Sequence, residues 1–240
     1  MISDYLAGNA TLIDILLCIP VVLFALSAHE CAHAYAAYKM GDTTARNFGR
    51  LTLNPVKHLD LMGTICMLFI GFGWAKPVPV NSRNFDKPRK GMALTAFAGP
   101  LSNLILALIG MLLLTVLDII YFNVPSLTEA LVNHALFQQT TFAYNLYWVL
   151  GNLFWIFHYM NLGLAIFNLL PIPPLDGSRL AMLFLPAKWY YKIMQYEQII
   201  YIILLVGLLT DIFTKPLGYV IGGLSDGMFY IHDFLVGLTT

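Results

Sequence analysis

Residues 12–38 read LIDILLCIPVVLFALSAHECAHAYAAY. As a helix this stretch is about 40 Å long, at ~1.5 Å per residue, enough to cross a bilayer with some tilt. Its second half nevertheless carries His29, Glu30 and His33. The apolar frame sets the fold class, and the rest of the chain agrees with it. Hydrophobic residues make up 59 % of the 240 and charged residues 11 %, where ordinary soluble domains have roughly 45–50 % and 25 %. Mean hydropathy is +0.73. These values exclude a disordered chain, a fibrous rod, a small disulfide scaffold and an ordinary soluble enzyme. They leave an all-α polytopic membrane protein. Thirteen basic residues balance thirteen acidic ones, so no nucleic-acid partner is expected. The lipid bilayer is the expected environment, and self-association is left open.

Cys18, Cys31 and Cys66 lie apart in apolar surroundings and without a CxxC, which reads as packing rather than a disulfide frame or a thiolate metal site. The first ten residues, MISDYLAGNA, hold no Lys or Arg. A cleavable signal peptide needs a basic start, so the first apolar segment is expected to stay in the mature protein.

Outward from that segment the character alternates. Lys39–Asp60 is polar and carries GRLTLNPV, which reads as a short membrane-associated β element with turns. Leu61–Trp74 is apolar but too short to span, and Gly71 and Gly73 punctuate it; it reads as re-entrant. Further spans are expected at Gly91–Tyr121, Phe142–Leu170 and Gln198–Ile212, with an amphipathic stretch at Ser178–Glu197. The Gly-rich tail from Pro216 reads equally as a last span or as interfacial helices. The total is five to six membrane segments in one domain over residues 1–240, with a core at 12–185 and C-terminal segments at 198–238. Twelve of the thirteen Lys and Arg fall within residues 39–57, 76–90 and 179–192. The positive-inside rule puts those stretches in the cytoplasm and the N-terminus and residues 122–139 outside.

His29-Glu30-Cys31-Ala32-His33 is an HExxH pattern. On a helix the two histidines share a face and can bind one Zn²⁺, while Glu30 projects about 100° away and can act as a base. Chance yields such a match roughly 0.002 times in a chain of this composition. Ionisable groups in an apolar span cost about 2.5–3.5 kcal/mol each unless satisfied, which itself points to a site. A third ligand is needed. Glu129 is expected on the far side of the membrane. Asp176 follows the third span after Pro171, Pro173 and Pro174, which break the helix and free its backbone. Spacing alone leaves Asp176 as either a ligand or a plain turn residue, since P-x-D-G is strong turn chemistry.

HECAH followed by NLLPIPPLDG, with Asn168, Pro171, Pro174, Asp176 and Gly177, resembles the site-2 protease family of intramembrane zinc metalloproteases. GRLTLNPVKHLDLMGT (49–64), AKPVPVN (75–81) and GPLSN (99–103) add to the likeness, which covers most of residues 20–185. It implies that His29, His33 and Asp176 bind zinc, that Glu30 is the catalytic base, and that the substrates are transmembrane proteins or peptides. The chain has no room for a PDZ or CBS domain and resembles the short, core-only type. A plasma-membrane location with the site toward the cytoplasm is expected. Asn168 is a candidate donor to the oxyanion or to the substrate backbone, or else helix–helix glue. Gly49–Asn54 and Phe72–Val80 are candidate edges for pairing with an unwound substrate. Pro100 reads as a kink, Asn103 as packing, and His58 and His158 as structural. Two other classes remain at this point: a divalent-metal transporter, and a prenyl-protein-processing membrane protease.

Overall fold

The computed structural model describes residues 11–70, 73–137, 141–210 and 212–239. The expectations for residues 1–10, Gly71, Phe72 and residues 138–139 lie outside that set. Helix α1 (Leu12–Lys39) starts at a reciprocal cap: the Asp14 backbone N–H donates to Thr11 Oγ1, and the Thr11 N–H donates to Asp14 Oδ2. Helix α2 (Thr44–Asn47), a 3₁₀ turn (Pro55–Lys57) and helix α3 (Leu61–Ile70) follow. A second 3₁₀ turn (Ser82–Asn84) leads into α4 (Pro88–Asn123), which opens on a proline at its first position. Then come α5 (Pro125–Phe137), α6 (Phe142–Leu169), α7 (Asp176–Ala181), α8 (Ala187–Met194), α9 (Glu197–Leu209) and α10 (Thr214–Gly237).

α4 is the hub: α1, α6, α7 and α10 all pack on it, and α1 and α10 also pack on α6. The bundle's interior is small or polar, with Ala25, Ala96, Ala107, Asn103, Asn161, His158 and Ser225 all buried. Its surface is large and apolar; Ile105, Leu112, Val116 and Ile202 are each at least half exposed. A water-soluble bundle distributes these types the other way. Small residues at helix contacts and bulky apolar ones outside are what lipid selects. The protein is a membrane protein.

Among the described residues three helices are long and apolar enough to cross: Leu12–Lys39, Pro88–Asn123 and Phe142–Leu169. The expected span at Gln198–Ile212 is instead a 13-residue helix (α9), about 20 Å long and short of the ~30 Å hydrocarbon layer. It meets the preceding helix at a 61° bend, and the bent pair makes a fourth crossing if it acts as one span. The tail forms one continuous helix, α10, rather than several short ones.

The β element does not form a strand among the described residues. It reduces to one antiparallel bridge, Leu59 with Ala75, beside a Lys76 N–H to His58 carbonyl bond of 2.7 Å. The reason lies in the polar side chains, which close turns instead. Asn54 Oδ1 accepts the Val56 N–H. The buried Asp42 carboxylate accepts from Thr44, Asn81 and Asn84. Leu61–Ile70 is a 10-residue helix, about 15 Å long and too short to cross, as its composition implied.

Candidate active site

His29 and His33 lie one turn apart on α1, so their rings share a face. Both are buried, with ring centroids 4.6 Å apart and planes crossed at 89°. After α6 ends at Leu169, the proline run turns the chain back and α7 begins on Asp176 itself. Gly177 makes that return feasible: a Cβ there would sit 2.2 Å from the Leu169 carbonyl oxygen and 2.4 Å from that of Leu170. The Asp176 carboxylate is thereby carried 147 residues along the chain to His29.

Asp176 Oδ2 lies 3.1 Å from His29 Nε2 and 3.2 Å from His33 Nε2, and the two Nε2 atoms are 3.0 Å apart. Among the described residues this is the one place where three such ligand atoms converge. Burial alone would push the Asp176 carboxyl up. Hydrogen bonds and charge from His29 and His33 outweigh it and hold the carboxyl well below the usual carboxylate range. It is a carboxylate, the form that ligates.

The donor set fits zinc. Ligands about 2.0–2.1 Å from a tetrahedral ion stand about 3.3–3.4 Å apart, close to the triangle observed. Two imidazoles and a carboxylate are the donor types zinc takes, and three protein ligands leave a fourth position open. α4 makes room for the rings at Gly99, where a Cβ would fall 2.5 Å from His33 Nε2 and 2.7 Å from His29 Cε1.

Each ring's other nitrogen is held by α4. His29 Nδ1 is 2.6 Å from Asn103 Oδ1, and His33 Nδ1 is 2.7 Å from the Thr95 carbonyl oxygen. Glu30, on α1 between the two histidines, accepts the Val78 N–H at Oε2 over 2.9 Å. Asn168 donates from Nδ2 to the Leu164 carbonyl on its own helix, at 3.0 Å.

The structure brings His29, His33 and Asp176 together, with Glu30 on α1 between the two histidines and bonded to the Val78 N–H. Asn103 is not the mere packing residue expected, because it touches a site histidine. Thr95 and Asn161 were not singled out at all, and Gly99 only as the first residue of GPLSN. A usable signal existed for the amides, since Asn103 and Asn161 are polar residues inside apolar helices. No side-chain signal marks a backbone carbonyl such as that of Thr95.

The match to the Peptidase family M50 model covers residues 17–210. The chain belongs to peptidase family M50. This is the site-2 protease family, and its members are metallopeptidases. The chain is 44 % identical over 197 residues to a Bacillus subtilis (strain 168) protein named "Putative zinc metalloprotease YwhC", covering 82 % of this chain and 80 % of that one. Two mycobacterial proteins named "Putative zinc metalloprotease Rip2" are more distant. The Mycobacterium tuberculosis Erdman protein is 31 % identical over 161 residues and the Mycolicibacterium smegmatis protein 27 % identical over 162. In both cases 65 % of this chain and 52 % of the relative are covered. No solved structure matches the chain. M50 membership does not favour the transporter and prenyl-protease readings.

His58 is buried with Nε2 2.8 Å from the Thr52 carbonyl oxygen. His158 is buried between the Ala107 carbonyl oxygen (2.9 Å) and Ser225 Oγ (3.1 Å), tying α6 to α4 and α10. Both fit the structural roles expected of them.

Proposed function

We propose that this M50 metalloprotease hydrolyses peptide bonds in or near the transmembrane segments of membrane proteins, with zinc held by His29, His33 and Asp176 and with Glu30 as general base. The observation that carries the reading is the convergence of His29 Nε2, His33 Nε2 and Asp176 Oδ2 to within 3.0–3.2 Å of one another. It occurs in a bundle whose outer surface is apolar. The chemistry that bound zinc supplies is Lewis acidity, which brings water toward a pKa of about 7 and polarises a carbonyl.

The chain's own residues do the remainder. Glu30 takes a proton from the attacking water and returns it to the leaving amine. The Val78 N–H orients one Glu30 oxygen, leaving the other to face the reacting groups. Asn168 stabilises the oxyanion or the substrate backbone when its Nδ2 turns from the Leu164 carbonyl. A helical substrate must unwind before its amide is exposed. The extended segment beside the Leu59–Ala75 bridge, running on to Val80, offers backbone groups for pairing with the opened strand.

On this reading the bent α8–α9 pair and α10 cross the bilayer along with the three long helices. Leu61–Ile70 dips into the same face it leaves, giving five to six membrane segments in a single domain. The basic residues at 39–57, 76–90 and 179–192 support an orientation with the site toward the cytoplasm, and the plasma membrane is the membrane proposed. A water path to the site is short from that side.

The test is zinc analysis combined with cleavage of a model transmembrane peptide in detergent or liposomes. Glu30→Gln should keep zinc and lose turnover. Asp176→Ala should hold zinc more weakly and lose turnover. Full turnover by Glu30→Gln would reject the mechanism, and turnover confined to soluble peptides would reject the substrate class.

A further inference from the structure

The orientation of a buried amide follows from its neighbours, and here the chain of neighbours ends on groups that cannot flip. The Phe157 carbonyl can only accept, so Asn161 must turn its Nδ2 toward it, at 2.8 Å. Asn161 Oδ1 then faces Asn103 and accepts its Nδ2, at 2.9 Å. The same Asn103 Nδ2 also donates to the Ala25 carbonyl, at 3.2 Å. Asn103 Oδ1 is left facing His29 Nδ1, at 2.6 Å. That oxygen can only accept, so Nδ1 is the donor in this pair and Nε2 is the nitrogen turned to the ligand triangle. Both asparagines are fully buried, so water offers neither of them another partner. His33 reaches the same state in one step, because its Nδ1 faces the Thr95 carbonyl.

We infer that Asn103, oriented by Asn161, is a positioning residue that holds the His29 ring through Nδ1 so that Nε2 faces the metal position. The inference rests on the zinc reading of the His29, His33 and Asp176 triangle. It assigns α4 and α6 a share in metal retention although neither helix supplies a ligand. A ligating histidine held by an acceptor on its other nitrogen is more basic and loses less freedom on binding. Loss of such an acceptor typically weakens metal binding about 10- to 100-fold.

Two measurements on the full-length protein in detergent test it. The first uses wild type alone, stripped of metal and labelled with ¹⁵N-histidine, so it does not depend on a variant folding. The expected signature is a proton on His29 Nδ1; a His29 ring without a proton on Nδ1 would overturn the inference. The second is zinc affinity by competition with a chelator. Asn103→Leu should bind zinc roughly 10- to 100-fold more weakly, and Asn161→Leu should weaken it by a smaller factor. If Asn103→Leu binds as wild type while Asp176→Ala holds zinc more weakly, the positioning role is wrong and the zinc reading stands. If Asp176→Ala and His33→Ala also bind as wild type, the zinc reading itself has failed.

Discussion

Among the described residues two histidine–carboxylate clusters are buried in this bundle, about 22 Å apart along α4, and only one of them brings two imidazoles to a single carboxylate oxygen. At the first, His29 and His33 each give Nδ1 to an oxygen of α4 and aim Nε2 at a shared point with Asp176. At the second, His232 on α10 is consumed on both sides. Its Nε2 lies 2.9 Å from Asp118 Oδ2 on α4 and its Nδ1 lies 2.9 Å from Asp233 Oδ1. Tyr147 on α6 donates to the other Asp118 oxygen, at 2.9 Å. No ring nitrogen is left over there. The second cluster fastens α10 to the α4–α6 pair, as His158 and Ser225 do further along. Both clusters set an imidazole nitrogen against a buried carboxylate. The first differs in having a second imidazole on the same helix face, whose Nε2 converges on the same carboxylate oxygen.

The largest contrast should come from Glu30→Gln. Loss of a general base costs about 10²–10⁴ in rate, so peptide cleavage should fall by that factor with zinc content unchanged. Charge-neutral changes at the second cluster should leave cleavage within about twofold of wild type, since no group there reaches the reaction.

Gly99→Ala should come next. Its new methyl meets two imidazoles that Asn103 and Thr95 prevent from retreating, and a displacement of about 1 Å at a reacting centre costs roughly 100-fold. Gly222→Ala on α10, where nothing lies within 4 Å of the added carbon, should leave both zinc and turnover as they are. Paired zinc and turnover assays would show this. Equal losses at the two glycines would mean that steric room around the rings is not what matters.

A smaller effect is expected at the second cluster. Asp118→Asn or His232→Leu should lower stability by about 0.6–2 kcal/mol, the usual worth of an interhelical hydrogen bond in a membrane bundle. Zinc affinity should not move. Thermal unfolding followed alongside chelator competition separates the two quantities, and a drop in zinc affinity would mean that the clusters are coupled through α4.

The smallest effect lies in the connecting segment outside the helices. Burial would raise the Asp42 carboxyl, but hydrogen bonds from Thr44, Asn81 and Asn84 outweigh it and hold it below the usual range. A depressed folded value means that its contribution is complete above the unfolded value of about 3.9 and is lost as pH falls through the folded one. The Tm difference between wild type and Asp42→Asn should therefore be widest near neutral pH and should narrow below about pH 4. A difference that stays constant down to pH 3 would rule out this source of acid sensitivity.

What could be read in the sequence was local. HECAH needs only helical spacing to align two histidines, and the Asn168–Gly177 motif announces a helix break followed by an acid. Apolar runs gave the three long helices, because lipid rewards every residue of such a run alike. What could not be read depends on helices crossing. Asn103 meets His29 across 74 residues and His33 meets the Thr95 carbonyl across 62. Neither pairing has a periodicity, and a carbonyl leaves no trace in composition. The β-like stretch misled for a related reason. Its Thr and Asn residues suit strands and turns equally, and the buried Asp42 carboxylate with the Asn54 cap gathered them into turns.

The most direct measurement is zinc K-edge absorption on the purified protein, with the metal shell resolved by donor type. The account expects one zinc per chain, two imidazole shells and oxygen donors, all at about 2.0–2.1 Å, with the protein oxygen lost in Asp176→Ala. A sulfur donor near 2.3 Å, or a shell unchanged by Asp176→Ala, would contradict it.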